Sequence, residues 1–271
     1  MDQSQTWKLK SFGVAVGLVL ALVVGLAGTA SADPIPSAWT CSGNCGSSGA
    51  DGVVTLSPTG NSQYQWISTY LGTTGVGALP SGTLGSETNG STLATSVFSA
   101  TAGTALNFYF NYVTSDGAGY ADYAWAELFD SANNPVALLF TARTMPTGTI
   151  VPGTGMPAPA ATLTPASVPI IGGGPLWSPL NGSSGDCYDV GCGYTGWINS
   201  NYTISTAGNY YLEIGAVNWL DTAFDSGLAM DGVTVGGVPI IPPTGVPEPG
   251  TLLLLGAGAV PLFLKFRNRQ A

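Results

Sequence analysis

The chain has 271 residues, 45% hydrophobic and only 8% charged, with 39 glycines, 19 prolines and no histidine. Between residues 33 and 244 thirteen carboxylates face a single cation, Arg143, giving a formal charge of 1 − 13 = −12. That balance excludes nucleic-acid binding, which needs positive surface to neutralise phosphates. The missing histidine removes the commonest general base and transition-metal ligand together, and the apolar and aromatic content excludes a disordered polyelectrolyte.

At the N-terminus Lys8 and Lys10 precede an apolar stretch from Phe12 to Ala27. Ala30-Ser31-Ala32 then supplies the small residues that signal peptidase accepts, which predicts a signal peptide over 1–32 cleaved before Asp33. An uncleaved anchor is the plainer alternative. The exported body, 33–244, is long enough for one β-sandwich and shows no internal repeat.

Four cysteines in an exported chain are expected to be oxidised. Local pairs, Cys41 with Cys45 and Cys187 with Cys192, are favoured because Gly43, Asn44 and Gly191 let the intervening loops bend tightly. A four-thiolate zinc site is the alternative, although its usual spacing is two intervening residues.

No segment of the body has helical periodicity, whereas several alternate. Leu106, Phe108, Phe110 and Tyr112 point one way and Asn107, Tyr109 and Asn111 the other. Tyr210, Leu212, Ile214 and Ala216 likewise oppose Tyr211, Glu213 and Gly215. Further strands are expected at 53–56, 64–70, 93–99, 123–129, 136–141, 202–205 and 228–235, bounded by Gly, Asn, Asp and Ser. About nine strands of this kind predict an all-β, jelly-roll-like sandwich. From 144 to 179 eight prolines and Gly172-Gly173-Gly174 predict an ordered excursion without regular sheet or helix, anchored by Ile170, Ile171 and Trp177; a loose linker is the competing expectation.

Two loops concentrate carboxylates beside strand ends, 114–122 and 218–226. Asp116, Asp122, Asp221 and Asp225 are hard oxygen ligands of the kind calcium takes, provided the loops meet at one end of the sandwich; otherwise they serve turns. Trp125, Trp177, Trp197 and Trp219 are candidate stacking platforms for sugar rings, or core if buried. For catalysis only Glu127 and Glu213 offer a carboxylate pair, and nothing in their spacing places them together. No nucleophile elbow is present, and an enzyme is not expected.

At the C-terminus Val246-Pro247-Glu248-Pro249 precedes an apolar run from Leu252 to Leu264, then Lys265, Arg267 and Arg269. Residues 251–266 rise roughly 24 Å as a helix, short of the roughly 30 Å hydrocarbon core, and Pro261 weakens that helix. A transient anchor follows, with the cations on the cytoplasmic side and Glu248 held in an extended, accessible flank. This order of breaker, apolar run and basic tail resembles the PEP-CTERM sorting signal that exosortase-type enzymes recognise in Gram-negative bacteria, covering 245–271. A plain uncleaved anchor is the alternative. The wording of 108–116 and 224–233 also looks like that of exosortase-sorted surface proteins with sandwich bodies.

The resemblance implies export, brief residence in the inner membrane, processing by an exosortase-type enzyme after signal peptidase, and delivery to the cell surface or extracellular polysaccharide. The expected role is structural or adhesive. A calcium-assisted carbohydrate-binding module is the second expectation and a polysaccharide-acting enzyme the third.

Overall fold

A computed structural model describes residues 35–240. The signal-cleavage residues Ala30, Ala32 and Asp33 and the sorting residues from Val246 to Arg269 lie outside the described part. Among the described residues no helix is long and apolar enough to cross a membrane.

Two antiparallel sheets face each other. The seven-stranded sheet runs in the order Thr40–Ser42, Glu87–Ala94, Gly208–Trp219, Tyr123–Asp130, Pro135–Arg143, with Thr73–Thr74 and Phe98–Ala100 as short additions. The nine-stranded sheet runs Thr162–Thr164, Ile198–Thr203, Ala105–Thr114, Ser226–Val235, Tyr64–Ser68, Asn44–Ser48, with Ile171–Gly172, Gly193–Tyr194 and Val238–Pro239 beside it. The fold is all-β, as the alternation predicts.

Parity decides the core. Leu106, Phe108, Phe110 and Tyr112 from one sheet meet Leu212, Ile214, Ala216, Ala124, Ala126 and Leu128 from the other, all fully buried. Phe110 stacks on Phe140 with centroids 3.7 Å apart, which sets the contact between the sheets. At one edge the chain crosses directly from Thr40–Ser42 in one sheet to Asn44–Ser48 in the other. Gly43 makes that crossing at φ 91°, and a Cβ there would collide with Ser91 and the Gly90 carbonyl. The Cys41–Cys45 disulfide therefore ties the two sheets together, and Cys187–Cys192 closes a separate loop, so the zinc alternative is corrected.

Four strand expectations need correction. The strand expected at 202–205 is Ile198–Thr203. Residues 53–56 form no strand, only an isolated Asp51–Val54 bridge. The 93–99 strand starts six residues earlier, at Glu87, and breaks between Ala94 and Phe98. The proline-rich stretch does contain sheet: Thr149–Val151 pairs with Val168–Pro169, and Thr162–Thr164 forms an edge of the nine-stranded sheet. These strands are short and peripheral, where a missing N–H leaves few ladder bonds unmade. Ile150, Val151, Leu163 and Val168 are buried in the main core, so this segment is packed rather than loose.

Both outer sheet faces are roofed. Trp177 and Leu180 cover Tyr64, Val113 and Ala229 on the nine-stranded sheet. Leu79, with Leu84 and Met156, covers Tyr123, Trp125, Phe129 and Val217 on the other.

Candidate functional site

The two aspartate loops meet at one end of the sandwich. The Ser115 amide and hydroxyl both donate to the Asp225 carbonyl, at 3.1 and 2.8 Å. The disulfide-closed loop 187–192 lies against the first of them: Ala118 N–H donates to the Val190 carbonyl and Tyr188 N–H to that of Ser115. Strand parity turns this end polar inside. Positions that follow the core residues along their strands, Thr114 after Tyr112, Ser226 before Leu228, Asp122 before Ala124 and Asn218 after Ala216, are all fully buried.

Asp122 accepts from Trp219 N–H at 2.8 Å and from the Ser226 hydroxyl at 2.6 Å. Asp225 accepts from the Thr69 and Ser183 hydroxyls at 3.3 and 3.0 Å. Both carboxylates thus pin loops with each of their oxygens. Asp116 differs. One oxygen accepts from Gly117 N–H at 2.6 Å, whereas Oδ2 is buried without a partner. Asp221 accepts from Ala223 N–H and is half-buried. Asn218 donates to Asn89 Oδ1 at 3.1 Å, and its own Oδ1 is also buried without a partner.

Burial pushes the Asp116 carboxyl up to about 7, with Asp221 and Asp225 adding like charge. Burial raises Asp122 as well, with Asp116 as the next cause. Among the described residues no three carboxylates converge closely enough to grasp one metal ion. Arg143 stands nearby but is turned away, donating to the Ala121 and Thr154 carbonyls and lying 5.0 Å over the Trp219 ring.

Glu127 and Glu213, which sequence spacing does not bring together, are directly opposite on neighbouring strands of the seven-stranded sheet. Their side chains share the outer face with Trp125 and Tyr211. Glu127 is 1% exposed, with Oε2 unpartnered beneath the 76–86 segment. Burial raises its carboxyl, opposed by hydrogen bonds from Ser81; burial also raises Glu213, to which Glu127 adds repulsion. Like charges directly opposed weaken a sheet.

The raised groups bind protons more tightly folded than unfolded, so the stability they contribute is fully present below their unfolded values near 4 and is lost as pH rises through the folded ones. Asp116 and Asp122 act with the same sign; Glu87 and Asp130, both lowered, oppose it. The urea midpoint in a chelating buffer is therefore expected to be higher at pH 5 than at pH 8. A midpoint that is flat or rises over that interval would contradict the raised carboxyls.

The tryptophans divide. Trp125 and Trp177 are fully buried, with indole N–H groups bonded to the Gly77 carbonyl and the Tyr64 hydroxyl, so neither is a sugar platform: no ring face reaches solvent. Trp197 and Trp219 are half-buried, Trp197 edge-on to Tyr64 and Trp219 beneath Arg143. The aromatic group at the acidic end is a different one. Tyr188, 49% exposed, contacts Tyr120 at 5.4 Å and Phe224 at 5.0 Å. Sequence reading passes over Tyr188 and Phe224 because neither stands in a strand; the signal available was their place beside Asp189 and Asp225.

Residues 245–270 match the family model described as the PEP-CTERM protein-sorting motif. The chain carries a PEP-CTERM sorting signal. It is an exported protein routed to an exosortase-type processing enzyme. No curated protein matches the chain. Among solved structures it is similar to the enzymatically active domain of tailspike protein 4 of bacteriophage CBA120 (13% identity, TM-score 0.33, covering 74% of this chain and 19% of that one). It is also similar to the K1 cleaved adhesin domain of Lys-gingipain from Porphyromonas gingivalis (12% identity, TM-score 0.35, 77% and 98%) and to an exo-β-agarase (12% identity, TM-score 0.30, 79% and 25%). The chain spans about a fifth of the tailspike domain and a quarter of the agarase. Likenesses this distant carry no functional argument.

Proposed function

We propose that the body of this PEP-CTERM protein is a non-catalytic structural or adhesive element of the cell surface or extracellular polysaccharide. The observation that supports this reading most is the closure of the opposed carboxylate pair Glu127 and Glu213: Glu127 is sealed under the 76–86 segment, and a glycosidase needs both carboxyls open to a sugar. The chain also has no histidine, the commonest general base.

The test is the mass of the mature protein recovered from membrane, surface and medium, together with an assay for reducing ends released from the host's own polysaccharide. The expected species lacks residues 1–32 and the segment after the Val246–Pro249 motif, and releases no sugar. Retention of 250–271 would replace the sorting role by a plain anchor. Sugar release abolished by Glu127→Gln or Glu213→Gln would replace the non-catalytic role by hydrolysis.

A second reading, glycan binding, is favoured by exposed Tyr188 and the half-buried Tyr120 and Phe224 rings against it, which border a loop rich in hydrogen-bond acceptors. Under it, Tyr188→Ala is expected to weaken retention on the host polysaccharide by about tenfold in affinity electrophoresis, with the urea midpoint unchanged, because roughly half of that side chain is already exposed.

A further inference from the structure

We infer that the acidic end of the sandwich binds one hard divalent cation, calcium, between the carboxylates of Asp116 and Asp221 and the side-chain carbonyl of Asn218.

Two buried oxygens at this end lack partners. Buried acceptors are nearly always satisfied, and each unsatisfied one needs its own explanation. Among the described residues the buried side-chain atoms without a partner number four, Gln65 Oε1, Asp116 Oδ2, Glu127 Oε2 and Asn218 Oδ1. Two of the four belong to this one end.

Asn218 is informative because it is neutral, so its orphaned carbonyl is independent of the acid count. The ladder pairs Val217 with Tyr123, and Trp219 N–H binds Asp122; Asn218 therefore stands across from Asp122. It continues the inward row Leu212, Ile214, Ala216 and points between the sheets at the polar end. Asp116 N–H donates to the Thr114 hydroxyl, which lies 2.8 Å from the Ser226 hydroxyl that binds Asp122, and the Asn218 and Asp221 carbonyls share the Thr88 hydroxyl, so Asp116 and Asp221 flank this position.

The site holds surplus lone pairs and lacks donors. Its one nearby cation, Arg143, is occupied elsewhere, and the Asp122 and Asp225 oxygens are each taken by a donor. That leaves two carboxylates and one amide oxygen, with the carbonyls of loops 115–122 and 218–225 to complete a shell. Oxygen-only coordination by six to eight ligands from flexible loops suits calcium, whereas magnesium demands a near-ideal octahedron and sheds water reluctantly. A site with two carboxylates is also consistent with the lack of any three-carboxylate cluster. The bound ion would hold the 115–122 and 218–225 loops together, whether or not a glycan binds beside them.

Calorimetry of the full chain tests this, with calcium chloride itself as the probe. A hundredfold excess over the dissociation constant is expected to raise Tm by about 5–10 °C over the EGTA-treated protein, and titration calorimetry is expected to show a single site. Asp221→Asn keeps the turn bond from Ala223 and is half-buried, so it should leave the EGTA-form Tm unchanged while weakening calcium binding about tenfold or more; Asp116→Asn should weaken it likewise. The inference is overturned by an absent calcium shift, by equal stabilisation with magnesium, or by a shift that persists undiminished in both variants. The last would mark diffuse counterions around a polyanion.

Discussion

Trp177→Ala is expected to destabilise the protein by about 3–5 kcal/mol, a fall in Tm of roughly 10 °C for a body of this size. The side chain is 1% exposed and roofs the outer face of the nine-stranded sheet. Its ring stands edge-on to Trp66 at 6.5 Å and fits against Gly227, where a Cβ would be only 2.7 Å from it. Truncation opens a cavity over Tyr64, Val113 and Ala229 and removes the donor to the buried Tyr64 hydroxyl, whose proton burial already holds tightly. The proline-rich stretch that carries Trp177 should loosen with it. Hydrogen exchange is the measurement: the Val53 amide, bonded to the Leu176 carbonyl, should lose protection before the strand Ala105–Thr114 does. A urea-derived loss below about 1 kcal/mol would mean that the roof is not docked in solution.

Gly215→Ala is expected to cost about 3 kcal/mol or more, although it adds a single methyl group. Gly215 pairs with Trp125 across the ladder, and the indole occupies the space beside its Cα; a Cβ there would fall 2.3 Å from a ring carbon. The ring has little room to yield, because its N–H is bonded to the Gly77 carbonyl at 2.7 Å. Displacing it lifts the 76–86 segment, which also bears Leu79, whose N–H meets the Tyr123 hydroxyl, and the Ser81 groups above Glu127. The partner substitution checks the mechanism. Trp125→Leu alone should destabilise, yet in the double variant the two losses should sum to well under their separate values, by 1 kcal/mol or more in a thermodynamic cycle. Strict additivity would show that Gly215 is required for some reason other than the ring.

Much of the fold is legible in the alternation of side chains, because a strand with one face in the core must place apolar residues at every second position. Leu106 to Tyr112 and Tyr210 to Ala216 illustrate this. Asn44–Ser48 escapes such reading, since Cys-Gly-Ser-Ser has no apolar face; it is strand through its pairing with Tyr64–Ser68 and the disulfide at its start. Residues 53–56 mislead in the opposite way. Val53 and Val54 are apolar because they pack under Trp177 and Leu180, not because they extend a ladder.

The site was legible as a composition and not as an arrangement. Four aspartates in two loops mark one end of the sandwich, but which of them are engaged depends on donors far away in the chain: Ser226 for Asp122, and Thr69 and Ser183 for Asp225. Asn218 carries no signal in isolation and gains one only when its orphaned oxygen is seen beside Asp122.

Routing belongs to the linear order of residues. A breaker, an apolar run and a basic tail are recognised as a string by membrane and processing enzyme, so residues 245–270 needed no folded body to be read. Local oxidation is similar, because four- and five-residue separations with flexible loops favour their own closure. Register is another matter. The facing of Glu127 and Glu213, the burial of Trp125 beneath a loop and the meeting of two acidic turns all arise from pairings between distant strands, and a shift of one residue in any ladder would turn each of those side chains to the opposite face.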